Sequence, residues 1–265
     1  MRLTLPDLRR TAAERKIAML TCYDASFAAV LDRAGIDSLL IGDSLGMVVQ
    51  GHDSTLPVTV EDVAYHTRAV VRGSQRTFVV ADMPFGSYQG GAPQAFDSAV
   101  RLMQAGAQMV KLEGGREMAP TIAFLVERGI PVCAHVGLTP QHVNRFGGYR
   151  IQGRGQAAAR VRADANAVVQ AGAEMIVIEA VPEAVARAIA AESTALTIGI
   201  GASAACSGQV LVLHDMLGVV CGRRPRFVKD FLAGAGGVEA AARAYLAQVQ
   251  SGEFPTTGHV YADSN

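Results

Sequence analysis

The chain has 265 residues, 50% of them hydrophobic, with 24 basic and 24 acidic residues and a formal net charge of zero. That length can bury a large core, and the even charge balance lacks the basic footprint of a nucleic-acid binder. No apolar run reaches transmembrane length and Met1–Asp7 holds no apolar signal core, so the expectation is a soluble, cytoplasmic protein that partners neither nucleic acid nor membrane.

Read in chain order, the dominant rhythm is helix, glycine, strand. After an extension of about residues 1–16, the first strand-like run covers 17–22. Ala34-Gly35-Ile36 then ends a helical pattern and leads into a run at 38–42 that stops on Asp43. A long connection, 44–60, follows. The next run, 77–81, stops on Asp82. Phe96, Ala99, Val100 and Met103 have helical spacing, and Ala105-Gly106-Ala107 leads into 109–113, which carries Lys111 and ends on Glu113. Met118, Ile122, Leu125 and Val126 again have helical spacing, and Arg128-Gly129-Ile130 leads into 131–135, which ends on His135. A second long, glycine-bearing connection covers 136–155. Val161, Ala165, Val168 and Val169 form the next helical face, Ala171-Gly172-Ala173 the next junction, and the run 175–179 ends on Glu179. Runs at 196–200 and 210–213, an amphipathic helix through Val238, Ala242, Tyr245, Leu246 and Val249, and a tail from about 253 to 265 complete the chain.

Glycine just past a helix end takes the left-handed conformation without a side-chain clash, so the repeated glycines mark helix-to-strand junctions. Eight short, nearly all-apolar strands read as strands buried on both faces. With no linker dividing the chain, the pattern predicts one (β/α)₈ barrel of TIM type over residues 1–265. A doubly wound open sheet is the competitor, but no strand is followed by GxGxxG. The four cysteines, Cys22, Cys133, Cys206 and Cys221, are far apart and form no CxxC, and read as reduced thiols in or near the core.

In a parallel barrel the C-terminal strand ends meet at one mouth. Only 24 of 265 residues are acidic, so eight strand ends should collect fewer than one acid by chance; here Asp43, Asp82, Glu113 and Glu179 all fall there. Neighbouring strands lie roughly 5 Å apart, so Asp43, Asp82 and Glu113 can share one cation directly or through water, and an all-oxygen set suits Mg²⁺ or another hard ion. The plainer reading is that each acid caps the helix that follows it. Lys111 shares a strand face with Glu113 and needs an anionic partner: a neighbouring carboxylate, a substrate acid group, or, through an imine, a carbonyl. Glu179 stands round the barrel from the other acids, where it suits a general base or a structural salt bridge. His135 is a donor to a substrate oxygen, a ligand, or a satisfied wall histidine. His214 is a weaker candidate, and the glycine turn Ile198-Gly199-Ile200-Gly201-Ala202 is a candidate phosphate contact.

The segments Gly42-Asp43-Ser44-Leu45-Gly46-Met47, Gly51-His52-Asp53-Ser54-Thr55-Leu56-Pro57-Val58-Thr59, Ala81-Asp82-Met83-Pro84-Phe85, Val110-Lys111-Leu112-Glu113-Gly114-Gly115 and His135-Val136-Gly137-Leu138-Thr139-Pro140-Gln141 resemble the ketopantoate hydroxymethyltransferase family. The likeness runs from about Ile17 to the last helix. It implies a (β/α)₈ barrel that transfers a one-carbon unit from 5,10-methylenetetrahydrofolate to 3-methyl-2-oxobutanoate, the first committed step towards pantothenate. By likeness, Asp43, Asp82 and Glu113 take the metal positions, with Mg²⁺ as the cofactor. Asp43, Ser44, Asp82 and Lys111 take the keto-acid positions, Glu179 is the proton acceptor, and His135 lies in the active-site wall. The resemblance also implies a homo-oligomer, a decamer in many members. Relatives usually place a glycine and then an Asp-Gly pair where this chain has Ser203 and Ser207-Gly208; Ser203 lacks glycine's freedom at positive φ and Ser207 lacks a charge, which directs attention to the loop after the seventh strand. Rival readings are a carbon–carbon lyase or mutase acting on a similar 2-oxo acid, and a non-catalytic binding or assembly subunit.

Overall fold

Eight parallel strands close into a barrel in the order of the chain, each hydrogen-bonded to the next and the eighth to the first. The computed structural model describes residues 1–219 and 224–263. The strands are β1 (Ile17–Thr21), β2 (Ser38–Ile41), β3 (Phe78–Asp82), β4 (Met109–Glu113), β5 (Val132–Gly137), β6 (Met175–Glu179), β7 (Leu196–Ile200) and β8 (Gly208–Leu211). The sequence reading locates all eight, and the open-sheet alternative is excluded by the β1–β8 pairing.

The eighth strand begins two residues before the predicted run. Gly208 and Gln209 pair with both β1 and β7. Gln209 is buried and its side-chain amide donates to Ser203 O at 2.9 Å, so a polar residue belongs to a strand that an apolar pattern locates too late. β5 runs two residues beyond His135 because Val136 and Gly137 pair with Ile178 and Glu179 of β6.

The helices are α1 (Leu5–Glu14), α2 (Ala25–Ala34), α3 (Leu45–Val48), α4 (Val60–Gly73), α5 (Ala92–Gln104), α6 (Ala119–Val126), α7 (Val143–Phe146), α8 (Ala157–Gln170), α9 (Glu183–Glu192), α10 (Leu213–Met216) and α11 (Val238–Ser251). Short polar side chains set the starts of α1, α2 and α4. Asp24 accepts from Phe27 N at 2.9 Å to open α2, and Thr59 with Asp62 forms a reciprocal capping box on α4. The junction glycines Gly35, Gly106, Gly129 and Gly172 all have positive φ, between 81° and 110°. One expected repeat is incomplete, since residues 201–207 return from β7 to β8 without a helix.

The inner face of α5 is Ala95, Ser98, Ala99 and Leu102, rotated from the predicted Phe96, Ala99, Val100 and Met103 stripe. The reason is packing: small residues let the helix approach the strands, while Phe96 turns sideways to meet Phe124 of α6, ring centroids 6.4 Å apart. In α11, Ala241, Ala242, Tyr245 and Val249 are buried. The Tyr245 hydroxyl lies 3.0 Å from Met19 O of β1 and 2.9 Å from Gln209 O of β8, across the seam that closes the barrel. The tail wraps rather than frays: Phe254 is buried against Phe231 and Tyr245, and Tyr261 forms a bridge with Pro182. At the opposite end from the mouth, Arg15 grips the fully buried Asp37 with two 2.8 Å hydrogen bonds. Cys22, Cys133 and Cys206 are free thiols in the core; Cys221 lies outside the described residues. Among the described residues, no helix is long and apolar enough to cross a membrane.

Candidate active site

Strand register brings the candidate groups into one arc. Asp82 stands opposite Lys111, Glu113 opposite His135, and Glu179 opposite Gly137. Asp82 and Glu113 are the last residues of β3 and β4, Lys111 is the middle residue of β4, and Asp43 follows β2 by two residues. All four are at least 95% buried. Neither acid is a helix cap: α3 is preceded by Ser44 and α5 by Gly91, which removes the plainer reading of Asp43 and Asp82.

Two sets of contacts lie round the mouth. Asp82 Oδ2 accepts the main-chain N–H of Asp43 at 3.0 Å, and Asp82 Oδ1 pairs with the Lys111 ammonium. Glu113 Oε1 lies 3.2 Å from His135 Nδ1, and His135 Nε2 lies 3.2 Å from Glu179 Oε2. Neither of the last two contacts is aligned as a hydrogen bond, so the imidazole sits between two carboxylates by charge rather than by a directed bond. Ser44 bonds through Oγ to the Tyr23 hydroxyl at 2.8 Å, at the rim beside β1. His214 of α10 stacks obliquely on Tyr23, ring centroids 5.7 Å apart, outside the carboxylate arc.

These neighbours set the protonation states. Burial, then the charges of Asp82 and Glu113, pushes the Asp43 carboxyl up to about 8. Burial also raises Asp82, against the pull of Lys111. Glu113 is held below its ordinary value: burial opposes ionisation, but the contact with His135 and the charge of Lys111 outweigh it. For Lys111, burial favours the neutral amine, yet the three carboxylates more than compensate and hold the ammonium. His135 is pushed up to about 9; burial and Lys111 act against this, and the carboxylates of Glu113 and Glu179 prevail.

Fully ionised, the three buried acids would outnumber the charge of Lys111, and burial with mutual repulsion keeps a proton on Asp43 instead; a hard cation would take the place of that proton. Among the described residues, no three His, Cys, Asp or Glu side chains are already gathered tightly enough to hold a metal ion unaided. Asp82 is turned to Lys111 and to the Asp43 N–H. Still, Glu113 Oε1 is a buried oxygen with no hydrogen-bond donor directed at it, and the acid oxygens form a donor set of the right hardness. The residues present fit a divalent cation completed by oxygen atoms from elsewhere.

Sequence reasoning missed three members. Gln141 bridges Asp43, Met83, Tyr88 and Glu113. The Tyr88 hydroxyl accepts the Glu113 N–H at 3.0 Å. Tyr23 holds Ser44. Gln141 stands within a recognised motif, but a neutral amide carries no charge signal, and Tyr88 reads as an ordinary aromatic.

The loop after β7 also differs from expectation. Ser203 needs no glycine freedom, since Ala180 is the one non-glycine residue with positive φ among those described. Ser203 is fully buried and its hydroxyl donates to Glu183 Oε1 at 2.7 Å. Ser207 lies just before β8, at the end of the barrel remote from the mouth, where its N–H donates to Thr197 Oγ1 at 3.0 Å. In the glycine turn considered for phosphate, Gly201 packs against Phe227: a Cβ there would come within 2.6 Å of the ring. Ala180, the residue after Glu179, has φ 45° and is buried, so the chain bends sharply where the candidate base is presented.

A family model described as ketopantoate hydroxymethyltransferase matches residues 2–257. A protein of Azoarcus sp. (strain BH72) named 3-methyl-2-oxobutanoate hydroxymethyltransferase is 63% identical over 261 residues, covering 97% of this chain and 96% of its own. One of the same name from Chromobacterium violaceum is 56% identical over 262 residues, covering 98% and 100%. Similar solved structures include a putative phosphonomutase from Burkholderia cenocepacia J2315, with TM-score 0.61 and 18% identity over 81% of this chain and 94% of that one. A phosphonopyruvate hydrolase in complex with oxalate and Mg++ has TM-score 0.61 and 14% identity over 82% and 83%. At such identities the structural likeness shows the fold alone, and a lyase or mutase reading has no other support.

Proposed function

The chain belongs to the ketopantoate hydroxymethyltransferase family, and from that premise we propose that it transfers the one-carbon unit of 5,10-methylenetetrahydrofolate, with one water, to C3 of 3-methyl-2-oxobutanoate, giving ketopantoate and tetrahydrofolate. The observation that carries the reading is the division of the mouth into two sides. Asp43, Asp82, Lys111 and Glu113 form a buried cluster of three acids and one lysine, while Glu179 stands across His135 from it, with its side chain 14% exposed.

The work divides accordingly. Asp43, Asp82 and Glu113 would hold a divalent ion, Mg²⁺ by resemblance, which supplies Lewis-acid stabilisation of the charge that develops when C3 of the keto acid loses its proton. Lys111, kept as an ammonium by its neighbours, is a fixed positive charge for the anionic end of the 2-oxo acid. Ser44, held by Tyr23, offers a hydroxyl to the same substrate. Glu179 takes the C3 proton through a carboxylate oxygen, and His135 holds that carboxylate in place while linking it to Glu113. Burial of the cluster excludes water from the side where charge builds up.

The test is direct. Purified protein is incubated with 3-methyl-2-oxobutanoate, methylenetetrahydrofolate and Mg²⁺, and ketopantoate is measured by mass spectrometry. Folate-dependent formation of ketopantoate supports the reading. Its absence, with cleavage or rearrangement of the keto acid in place of transfer, would move the protein to the lyase and mutase class.

A further inference from the structure

Gln141 opens the long connection after β5, in the short turn Pro140–His142, and is 3% exposed. Its amide nitrogen donates to Asp43 Oδ2 at 2.9 Å and to Met83 O at 3.0 Å. Its amide oxygen accepts from the Tyr88 hydroxyl at 2.6 Å and from Gln89 Nε2 at 3.2 Å. A side-chain amide has two N–H donors and one oxygen with two lone pairs, so every position is filled. The flip of the amide is thereby determined: the donating end faces Asp43. The main-chain N–H of the same residue donates to Glu113 Oε2 at 2.9 Å. One residue on a loop thus holds two acids from two different strands, Asp43 after β2 through its side chain and Glu113 at the end of β4 through its backbone.

We propose that Gln141 is a positioning residue: it sets the spacing and orientation of Asp43 and Glu113 for a divalent cation and the 2-oxo acid, and couples that spacing to the seating of the β5 connection. The inference rests on the metal and keto-acid reading given above. No strand contact does the same work, since neither β2–β3 nor β3–β4 pairing joins Asp43 to Glu113. Tyr88 supports the arrangement from behind, because its hydroxyl accepts the Glu113 N–H while donating to Gln141. Without the amide, Asp43 would keep its place in the chain but lose the donor that aims one of its oxygens.

The experiment uses the full-length protein and two variants. Q141M keeps the length and bulk of the side chain, removes both amide donors, and leaves the backbone bond to Glu113. Q141N keeps an amide but withdraws it by roughly 1.5 Å, one carbon–carbon bond, so that it cannot reach Asp43 and Tyr88 together. Mn²⁺ binding is measured by electron paramagnetic resonance with and without 3-methyl-2-oxobutanoate; kcat, both KM values and Tm are measured alongside. Removing a hydrogen bond to a charged group should weaken Mn²⁺ binding about tenfold or more in each variant, with a parallel rise in keto-acid KM. The KM for methylenetetrahydrofolate should stay within about twofold, because Gln141 is enclosed by the acid cluster. Wild-type Mn²⁺ and keto-acid affinities in a folded variant, with only a lower Tm, would reduce Gln141 to packing and overturn the inference. An equal loss of affinity for both substrates would overturn it too, as general damage to the barrel. If Q141M does not fold, Q141N alone decides between these outcomes. Wild-type protein that binds no Mn²⁺ even with the keto acid present would overturn the metal reading and the inference together; wild-type binding that the variants match overturns the inference alone.

Discussion

Replacing Lys111 by methionine tests whether the anionic cluster is held by a fixed positive charge. Lys111 is 4% exposed, and Asp43, Asp82 and Glu113 are 2–3% exposed, so water cannot take over from the ammonium. Deleting one partner of a buried pair costs about 3–5 kcal/mol. At about 2–4 °C per kcal/mol for a chain of this size, that is a drop on the order of 10 °C in Tm. The loss should depend on pH in a defined direction. Burial already raises the Asp82 carboxyl, and Lys111 is the charge that opposes this rise. Without the ammonium, the folded-state pKa of Asp82 moves further above its unfolded value of about 4. A raised carboxyl binds its proton more tightly when folded, so the variant keeps its relative stability at acid pH and loses it as pH climbs through the folded pKa. Asp43, pushed up to about 8, acts in the same sense. Urea unfolding followed by circular dichroism at pH 5 and pH 8 should show the larger deficit at pH 8. A deficit at pH 8 below about 1 kcal/mol, or one of equal size at both pH values, would refute the charge argument.

Four further outcomes are expected. Glu179→Gln should slow exchange of the C3 hydrogen of 3-methyl-2-oxobutanoate with deuterium by about 10²–10⁴-fold while the keto acid still binds; exchange at the wild-type rate would assign the proton to another group. Asp82→Asn, nearly isosteric, should weaken the response of turnover to added Mg²⁺, and full wild-type activity after exhaustive chelation would remove the metal from the scheme. Borohydride with the keto acid should leave no covalent adduct on Lys111 by mass spectrometry, since the three carboxylates hold it as a non-nucleophilic ammonium. At position 180, where φ is 45°, glycine should leave Tm within a few degrees of wild type whereas valine should cost about 1–2 kcal/mol; equal Tm values for Ala180→Gly and Ala180→Val would show that the bend after Glu179 is not strained.

The amino-acid order alone specified the barrel, because its information is local and periodic. Short apolar runs, helical spacing and a glycine after each helix are properties of neighbouring residues, and eight such units have few ways to bury every strand on both faces. The same logic placed Asp43, Asp82, Glu113 and Glu179 at one mouth, since parallel strands put equivalent ends together. What the sequence could not decide depends on distance across the fold. Whether Asp43 and Asp82 cap the helices that follow them was settled by the actual cap residues, Ser44 and Gly91. The inward face of α5 was settled by the space available for Phe96 beside Phe124. The start of β8 was settled by the pairing of Gly208 and Gln209 with two strands from opposite ends of the chain. Gln141 is the sharpest case: it stands in a segment that carries the family resemblance, yet an uncharged amide gains a definite role only when folding carries it to Asp43, 98 residues away, with Tyr88 and Met83 to fix which end points there.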